Sequence, residues 1–270
     1  MKVILSRKGF DSQYGGMPSP ILPDGTLLSL PIPSKEDTTK YTDLTWNGKS
    51  YYELIQELKP SSRIKANYTC HLDPDIRKEA ADRLDGWKLT FGQTGFPLGH
   101  LQKQKVGIGD LFLFFGSFRQ AEFIDGKLSY VKGTSDLHVI YGYLQVGDIV
   151  CSQDSVPHWL TEHPHAKTER WKQPNAIFIA SDLLSLCPEQ PGAGCLSYAD
   201  KLVLTKQGCS KSVWDLPDFF RDIPITYNAN AWKDDCFVST AKGQEFVFEA
   251  NSEAVEWIKR LSRFLVGIAI

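Results

Sequence analysis

The segment Gly109-Asp110-Leu111-Phe112-Leu113-Phe114-Phe115-Gly116 is the stretch that decides the fold. Its run of large apolar residues, Leu111 to Phe115, is typical of a strand buried on both faces. The run is far too short to span a bilayer. Together with further strand patterns around it, it predicts an α+β fold, namely a β-rich domain with a mixed or barrel-like sheet and a few flanking helices.

Apolar periodicity and turn residues place the other elements along the chain. Strands are expected at residues 3–5, 137–146, 176–180, 202–205 and 245–248. Helices are expected at 51–58, at 75–84 and near the end of the chain, where an N-cap at Asn251 or Ser252 precedes an apolar stripe of Val255, Ile258, Leu261 and Leu265. The turn-forming pairs are Asp24-Gly25, Asn47-Gly48 and Asp125-Gly126.

The composition is that of a folded protein. Of 270 residues, 42% are hydrophobic and 12% aromatic, so the chain can bury a full core. We expect one compact domain over residues 1–270. A division into two lobes stays open, with candidate site loops in 1–105 and a β-rich lobe with the C-terminal helix in 106–270. The net charge of −2 argues against indiscriminate polyanion binding but leaves room for a local basic groove.

The cysteines and the N-terminal residues indicate a cytoplasmic protein with reduced thiols. Six cysteines are scattered without a C-x-x-C motif, and only three apolar residues precede Ser6 and Arg7, so no signal peptide is expected. No association with a membrane is predicted, and the sequence leaves protein partners unknown.

A charged, glycine-rich loop follows the first strand. Arg7, Lys8, Asp11 and Ser12 lie within six positions and precede Gly15-Gly16. Because such loops often carry functional sites, Arg7 and Lys8 are candidates for phosphate contacts and Ser12 for a substrate contact. Asp11 is a candidate general base or nucleophile. The alternative is a solvated loop with an Arg–Asp pair.

A second cluster lies in Cys70-His71-Leu72-Asp73-Pro74-Asp75. On an extended segment, His71 and Asp73 project to the same side, so they could act as a general acid–base pair. Together with Asp75 they could instead hold a divalent metal. The alternative for Asp73 or Asp75 is to cap the helix expected after Pro74.

Two further segments carry polar candidates. Phe91 to His100 predicts a glycine-rich loop in which Gln93 recognises the edge of a base and His100 contacts the substrate; a plain connector is the alternative. His158, His163 and His165 could form a zinc site. A surface loop with one partly buried histidine is the favoured interpretation, because no HExxH motif or cysteine pair accompanies them.

Several signatures are absent from the sequence: GxGxxG after a strand, a Walker loop, GxSxG and the zinc-deaminase pattern H-x-E…P-C-x-x-C. Their absence disfavours dinucleotide redox chemistry, P-loop ATP hydrolysis, α/β-hydrolase chemistry and zinc deamination. The aromatic run and the later segment 140–146, with Tyr141 and Tyr143, resemble in pattern the small barrels of the PUA and EVE type, which hold nucleobases between aromatic walls. A purely structural aromatic core is the alternative.

Seven segments carry a resemblance to a known family: Arg7-Lys8-Gly9-Phe10-Asp11-Ser12, Gly15-Gly16, Pro18-Ser19-Pro20, His71-x-Asp73-Pro74-Asp75, Phe91-Gly92-Gln93, Gly109 to Gly116 and Gly243-Gln244-Glu245-Phe246-Val247. From Lys2 to about Trp257 the chain resembles the third of the nucleotide-modification-associated domain families, found in bacteria and their phages. The resemblance implies a nucleotide or nucleic-acid substrate. It assigns no reaction and carries over no catalytic residue.

The patterns and the resemblance together predict an enzyme that acts on a nucleotide or on a modified base in DNA. Group transfer or hydrolysis linked to base modification is expected, with glycosidic-bond chemistry among the options. The candidate catalytic residues are Asp11, His71 and Asp73. The candidate substrate-binding residues are Arg7, Lys8, Ser12, Gln93, His100, Arg119 and Tyr141. No cofactor is predicted, although a divalent metal at His71, Asp73 and Asp75 stays an option.

Two other functions stay open. A non-catalytic reader would bind modified bases through the PUA/EVE-like barrel, and a small-nucleotide sensor would bind mononucleotides. The enzyme hypothesis also predicts a geometry, because catalytic loops converge on one pocket. Asp11 and His71 should line the same cleft, with Arg7 or Arg119 within reach of a phosphate-sized anion.

Overall fold

The computed structural model describes residues 1–226, 231–239, 245–261 and 263. Within these residues the chain is rich in strands, with one large mixed sheet and three α-helices, which confirms the α+β fold. The helices are α1 (Tyr51–Leu58), α2 (Gly95–Lys103) and α3 (Ser252–Leu261). None of the described helices is long and apolar enough to cross a membrane.

The strands of the described residues follow one another in chain order. They are β1 (Lys2–Arg7), β2 (Ser19–Ile21), β3 (Ile32–Pro33), β4 (Thr45–Trp46), β5 (Lys49–Ser50), β6 (Cys70–His71), β7 (Thr90–Thr94), β8 (Leu111–Ile124), β9 (Lys127–Tyr130), β10 (Leu137–Val150), β11 (Asn175–Ala180), β12 (Leu183–Leu184), β13 (Cys187–Pro191), β14 (Ala193–Cys195), β15 (Val213–Trp214), β16 (Trp232–Lys233), β17 (Cys236–Val238) and β18 (Glu245–Glu249).

The main sheet has the strand order β18-β1-β8-β10-β11-β7, and β2, β9 and β14 pair along β8 and β10. β1 and β2 run parallel to β8, whereas the other pairs are antiparallel. Over the described residues this path is open, so the mixed sheet is confirmed and no closed barrel forms. One side-chain hydrogen bond joins its two edge strands, because Gln93 Nε2 on β7 donates to Glu245 Oε1 on β18 over 2.6 Å.

The centre of the sheet is β8, and the aromatic run lies there. Every residue from Leu111 to Phe118 is buried, as expected for a strand covered on both faces. The ring of Phe91 on β7 packs against Phe112 and Phe114, with centroids 4.9 Å and 5.2 Å apart. Edge-to-face packing of this kind adds to the free energy gained from burying the rings.

Local chemistry confirms several of the expected elements. Ser50 and Glu53 form a reciprocal capping box at the start of α1, with Ser50 Oγ accepting from the Glu53 N–H. Asp125 and Gly126 have positive φ and connect β8 to β9 as a tight hairpin. Asn251 caps α3, because its Oδ1 accepts from the Ala254 N–H. Leu265, the last residue of the expected stripe, lies outside the described residues.

Three expected elements are wrong. Residues 75–84 hold only a 3₁₀ turn at Lys78–Ala80, because the backbone of Asp75 pairs with Thr90 in an extended conformation. The loop expected from Phe91 to His100 is strand β7 followed by helix α2. Residues 202–205 form the end of a 3₁₀ turn and isolated bridges rather than a strand.

The main sheet bears on the expected division into lobes. It takes β1, β2 and β7 from residues 1–105, and β8, β10, β11 and β18 from the rest of the chain. This sharing of strands supports one compact domain, which stays a prediction.

We predict that Phe114→Ala lowers the free energy of unfolding by about 3–5 kcal/mol, because it empties a fully buried site in the central strand. The matched control is Phe96→Ala, since Phe96 is 88% exposed and its loss should change stability by no more than about 0.5 kcal/mol. Chemical denaturation followed by circular dichroism measures both. Equal losses would contradict the assignment of β8 as the core.

Candidate functional site

The Asp73 carboxylate is the centre of a buried polar cluster. It lies two residues beyond β6, which pairs with β3. Its Oδ1 accepts a hydrogen bond from the Gly92 N–H on β7 over 2.6 Å. The side chain of Asp73 is 4% exposed. A carboxylate this deeply buried must be compensated by donors or cations, and the imidazoles of His71, His163 and His165 surround it.

His165 reaches this position because position 92 has no side chain. A Cβ atom at Gly92 would lie 2.2 Å from His165 Cδ2, so only glycine admits the ring. His165 Nδ1 donates to Asn175 Oδ1 over 2.7 Å. The Asn175 amide is oriented by its Nδ2, which donates to the His165 carbonyl. In the neutral ring, His165 Nε2 therefore carries a lone pair rather than a proton.

His71 is oriented in a similar way by a carboxylate. Its Nδ1 donates to Asp37 Oδ2 over 2.8 Å. Burial disfavours the charged form of Asp37, but the hydrogen bond from His71 and the nearby Arg170 guanidinium help to outweigh it, and the pKa of Asp37 falls to about 2. With Nδ1 as the donor, the neutral His71 ring directs the lone pair of Nε2 into the cluster. That atom lies 3.2 Å from His165 Nε2.

His163 has the other tautomer. Its Nδ1 accepts from the His165 N–H over 3.2 Å, so the proton of the neutral ring lies on Nε2. Nε2 is 3.4 Å from Asp73 Oδ1 and makes no hydrogen bond to any described residue. His163 thus faces the same carboxylate oxygen as the Gly92 N–H. The other oxygen, Asp73 Oδ2, lies 3.8 Å from His71 Nε2 and 3.9 Å from His165 Nε2.

The pKa values of the cluster follow from burial and from these contacts. Burial opposes ionisation of Asp73, but His163, His165 and His71 outweigh it and hold the pKa of Asp73 well below its usual range. Burial lowers the pKa of His165 to about 3. At neutral pH the cluster therefore contains an anionic carboxylate beside a neutral His165.

One set of atoms could hold a metal ion. His71, Asp73 and His165 each offer one ligand atom, and these atoms lie within 4.8 Å of one another. Two imidazoles and a carboxylate suit zinc and iron(II). The option of Asp75 as a third ligand is wrong, because Arg83 donates to both oxygens of Asp75 over 2.7 Å and balances the charge of that carboxylate. His165 is instead the third residue of the group.

A family comparison adds to this geometry. Residues 2–249 match the model of the family described as nucleotide modification associated domain 3. The chain belongs to this family. The expected family is therefore confirmed, and it links the protein to nucleotide modification. No curated protein and no solved structure matches the chain.

In this member of the nucleotide modification associated domain 3 family, the other candidates lie on other segments of the chain. Asp11 Oδ1 accepts from the N–H groups of Gln13 and Tyr14 in its own turn. No hydrogen bond or ion pair of the described residues joins Asp11 to His71, and their common cleft stays a prediction. Ser12 is exposed in the same turn.

The basic and amide candidates make structural contacts. Lys8 Nζ pairs with Glu245 Oε1 over 3.0 Å, and Gln93 donates to the same oxygen. Arg7 is the last residue of β1. Gly243 and Gln244, which belong to the segments that carry the family resemblance, lie outside the described residues. Arg119 Nη2 pairs with Asp136 over 2.7 Å.

The last two candidates lie on regular elements. His100 lies on α2, where its Nε2 and Thr226 Oγ1 are 3.1 Å apart. Tyr141 is buried on β10 within the main core.

The sequence interpretation missed half of the cluster. His163 and His165 are both buried, which overturns the surface loop with one partly buried histidine, and only His158 is exposed. The signal was present, since His163-Pro164-His165 is a His-x-His pair. Asp37 and Asn175 have no comparable signal, because isolated polar residues acquire their role only from contacts distant in sequence.

We predict that Gly92→Ala displaces the His165 ring and lowers the free energy of unfolding by about 1–3 kcal/mol, because the added methyl overlaps that ring. Gly99→Ala is the matched control. Nothing lies within 4 Å of a Cβ at Gly99, which lies in α2. Because alanine has a higher helix propensity than glycine, this change should be neutral or stabilise the protein. Thermal or chemical denaturation of both variants decides. A Gly92→Ala protein as stable as wild type would contradict this packing.

Proposed function

We propose that this protein is a metal-dependent enzyme that acts on a nucleotide or on a base in DNA, by hydrolysis or group transfer linked to base modification. Its metal ligands are His71 Nε2, His165 Nε2 and Asp73 Oδ2. One observation carries the proposal. The three atoms each have a lone pair and face one another, and apart from the contact between the two imidazoles, no hydrogen bond of the described residues occupies the space between them.

The two imidazole nitrogens support a cation between them. Each ring donates its Nδ1 proton elsewhere, so the facing Nε2 atoms are acceptors at a separation of 3.2 Å. Two acceptors at this distance repel each other unless a proton or a metal cation lies between them. A proton would satisfy only the two nitrogens. A metal cation also satisfies Asp73 Oδ2, which lies too far from both nitrogens for a hydrogen bond.

The three separations are of the size that a zinc or iron(II) ion requires. They are 3.2, 3.8 and 3.9 Å. The point equidistant from the three atoms lies about 2.1 Å from each, within the range of about 2.0–2.2 Å usual for bonds from zinc to nitrogen and oxygen. Three protein ligands leave further coordination positions for water or substrate, as in catalytic rather than structural sites.

The surroundings of these atoms resemble the hydrogen-bonded supports of known metal sites. A carboxylate or carbonyl oxygen typically accepts the second N–H of a metal-binding histidine. Asp37 does this for His71, and the Asn175 amide oxygen does it for His165. The Gly92 N–H binds the outer oxygen of Asp73, which leaves the inner oxygen for the cation.

The proposed chemistry follows from the donor set. A metal of this kind polarises a substrate atom and activates water for attack at neutral pH. His71 is the most exposed of the cluster, at 14%, so substrate would approach from its side. The family description supports a nucleotide or nucleic-acid substrate. Asp11 has no part in this proposal, because its carboxylate is occupied in its own turn.

The reader hypothesis has less support. It requires exposed aromatic walls, whereas Tyr141 and Tyr143 are 2% and 3% exposed. Side chains that are packed in the core cannot stack on a base without unpacking the sheet. The open strand path also lacks the closed barrel of a PUA or EVE type.

We predict that the full chain, stripped with a chelator and reloaded with Zn²⁺ or anaerobic Fe²⁺, retains an equimolar amount of one metal after desalting. His165→Ala and Asp73→Ala should lose at least about 90% of it, because each removes one of three ligands. His158→Ala is the matched control, since His158 is an exposed histidine of the same segment. Elemental mass spectrometry measures the content. Wild type without metal, or equal loss in His158→Ala, would refute the site.

We further predict that the metal-loaded protein alters nucleotides or modified DNA, which nucleoside mass spectrometry detects as a released base or a mass shift. Activity should fall at least ~100-fold in His165→Ala and stay at the wild-type level in His158→Ala. A wild-type protein that holds metal but changes none of the canonical or modified nucleotides and DNA tested would leave the sensor hypothesis in the lead. Binding of mononucleotides would then be measured at two salt concentrations.

A further inference from the structure

We propose that Arg77 forms the core of a subsite for the phosphate group of the substrate, in a cavity beside Asp73. This inference rests on the proposed nucleotide substrate, but the subsite itself can be tested without the metal or the reaction. It assigns a binding role to a residue that the sequence patterns did not single out.

The cavity is small, partly open and polar on one side. It has a volume of about 30 Å³. Space of this size accommodates about two water molecules or one compact polar group. Its wall includes Asp73 and the neighbouring Pro74, so the cavity adjoins the proposed metal ligand.

Arg77 contributes a cation to this wall without a matching anion. Its one hydrogen bond to a described residue runs from Nη2 to the Leu27 carbonyl and is long, at 3.3 Å. No carboxylate of the described residues lies within ion-pair distance of it, in contrast to Arg83 and Arg119. A guanidinium that is removed from water usually has a bidentate anionic partner. The unused donors of Arg77 are therefore available to a bound anion.

Hydroxyl groups from other segments complete the lining. Tyr51 is 2% exposed and lines the cavity, and its hydroxyl makes no hydrogen bond to any described residue. A hydroxyl that has no protein partner and borders a cavity can donate to a group bound there. Tyr141 and Ser29 also line the cavity. Burial raises the pKa of Tyr51, so it remains a neutral donor.

These groups suit a phosphate better than they suit a base or a sugar. A planar guanidinium fork binds two phosphate oxygens at once, and a phenol can donate to a third. The cavity is too small for a nucleobase. Because Asp73 belongs to both sites, a phosphate at Arg77 would place the attached nucleoside next to the metal ligands, where the reaction is proposed.

Calorimetric titration of the full chain with inorganic phosphate and with a deoxynucleoside monophosphate tests the subsite. Arg77→Met should weaken binding of both at least ~10-fold, the loss expected for charge-assisted hydrogen bonds. Arg63→Met is the matched control, because Arg63 is an exposed arginine, and it should bind like wild type. Tyr51→Phe provides a second test if Arg77→Met does not fold, with an expected weakening of about 2–10-fold.

The outcomes separate this inference from the proposed function. Each titration is repeated on chelator-treated protein, and metal content is measured on the same samples. Loss of phosphate binding in Arg77→Met with metal content unchanged supports the subsite. Equal phosphate affinity in wild type and Arg77→Met overturns it, as does a wild-type protein that binds acetate but not phosphate. A wild-type protein that binds phosphate but no metal refutes the metal site and leaves the subsite standing.

Discussion

The hydrogen bond from the Gly92 N–H to Asp73 Oδ1 is the contact on which the site depends. It joins the segment after β6 to the edge strand β7, and so fixes a carboxylate against the main sheet. At this point the chain after β10 places the His165 imidazole over a backbone position without a side chain. Without that contact, Asp73 Oδ1 would lose its one hydrogen bond from a described residue, and an unmade hydrogen bond to a buried charged group is costly.

The two oxygens of the Asp73 carboxylate have different neighbours in the cluster. Asp73 Oδ1 faces the backbone N–H of Gly92 and the Nε2 of His163, whereas Oδ2 faces two unprotonated nitrogens. The tautomers are set from outside, by Asp37, Asn175 and the His165 backbone. Polar groups that contact the outer nitrogens of the rings thus decide which inner atoms present lone pairs. This is the kind of preorganisation that reactive centres require.

The sequence was informative where a signal is local and weak where it depends on contacts between distant segments. The aromatic run from Leu111 to Phe115 identified the central strand, and the His71-x-Asp73 spacing identified half of the cluster. Gly92 was misjudged as a loop glycine, because sequence alone does not show that a ring must lie against a strand. Asp75 was misjudged because Arg83, eight positions away, donates hydrogen bonds to its carboxylate. The proposed role of Arg77 could not be predicted from the sequence, because it depends on the cavity that Arg77 lines in the fold.

The separation of the ligands along the chain has a consequence for the order of assembly. His71 and His165 are 94 positions apart, and Asn175, which orients His165, lies on β11. Gly92 pairs with Ile177 across β7 and β11. The three proposed ligand atoms therefore come together only after these two strands have paired. Under the proposed function, a newly made chain would have to complete this part of the sheet before it could bind a metal. Metal binding would then be a late step in folding, and it would stabilise only chains in which β7 and β11 have paired in the native register.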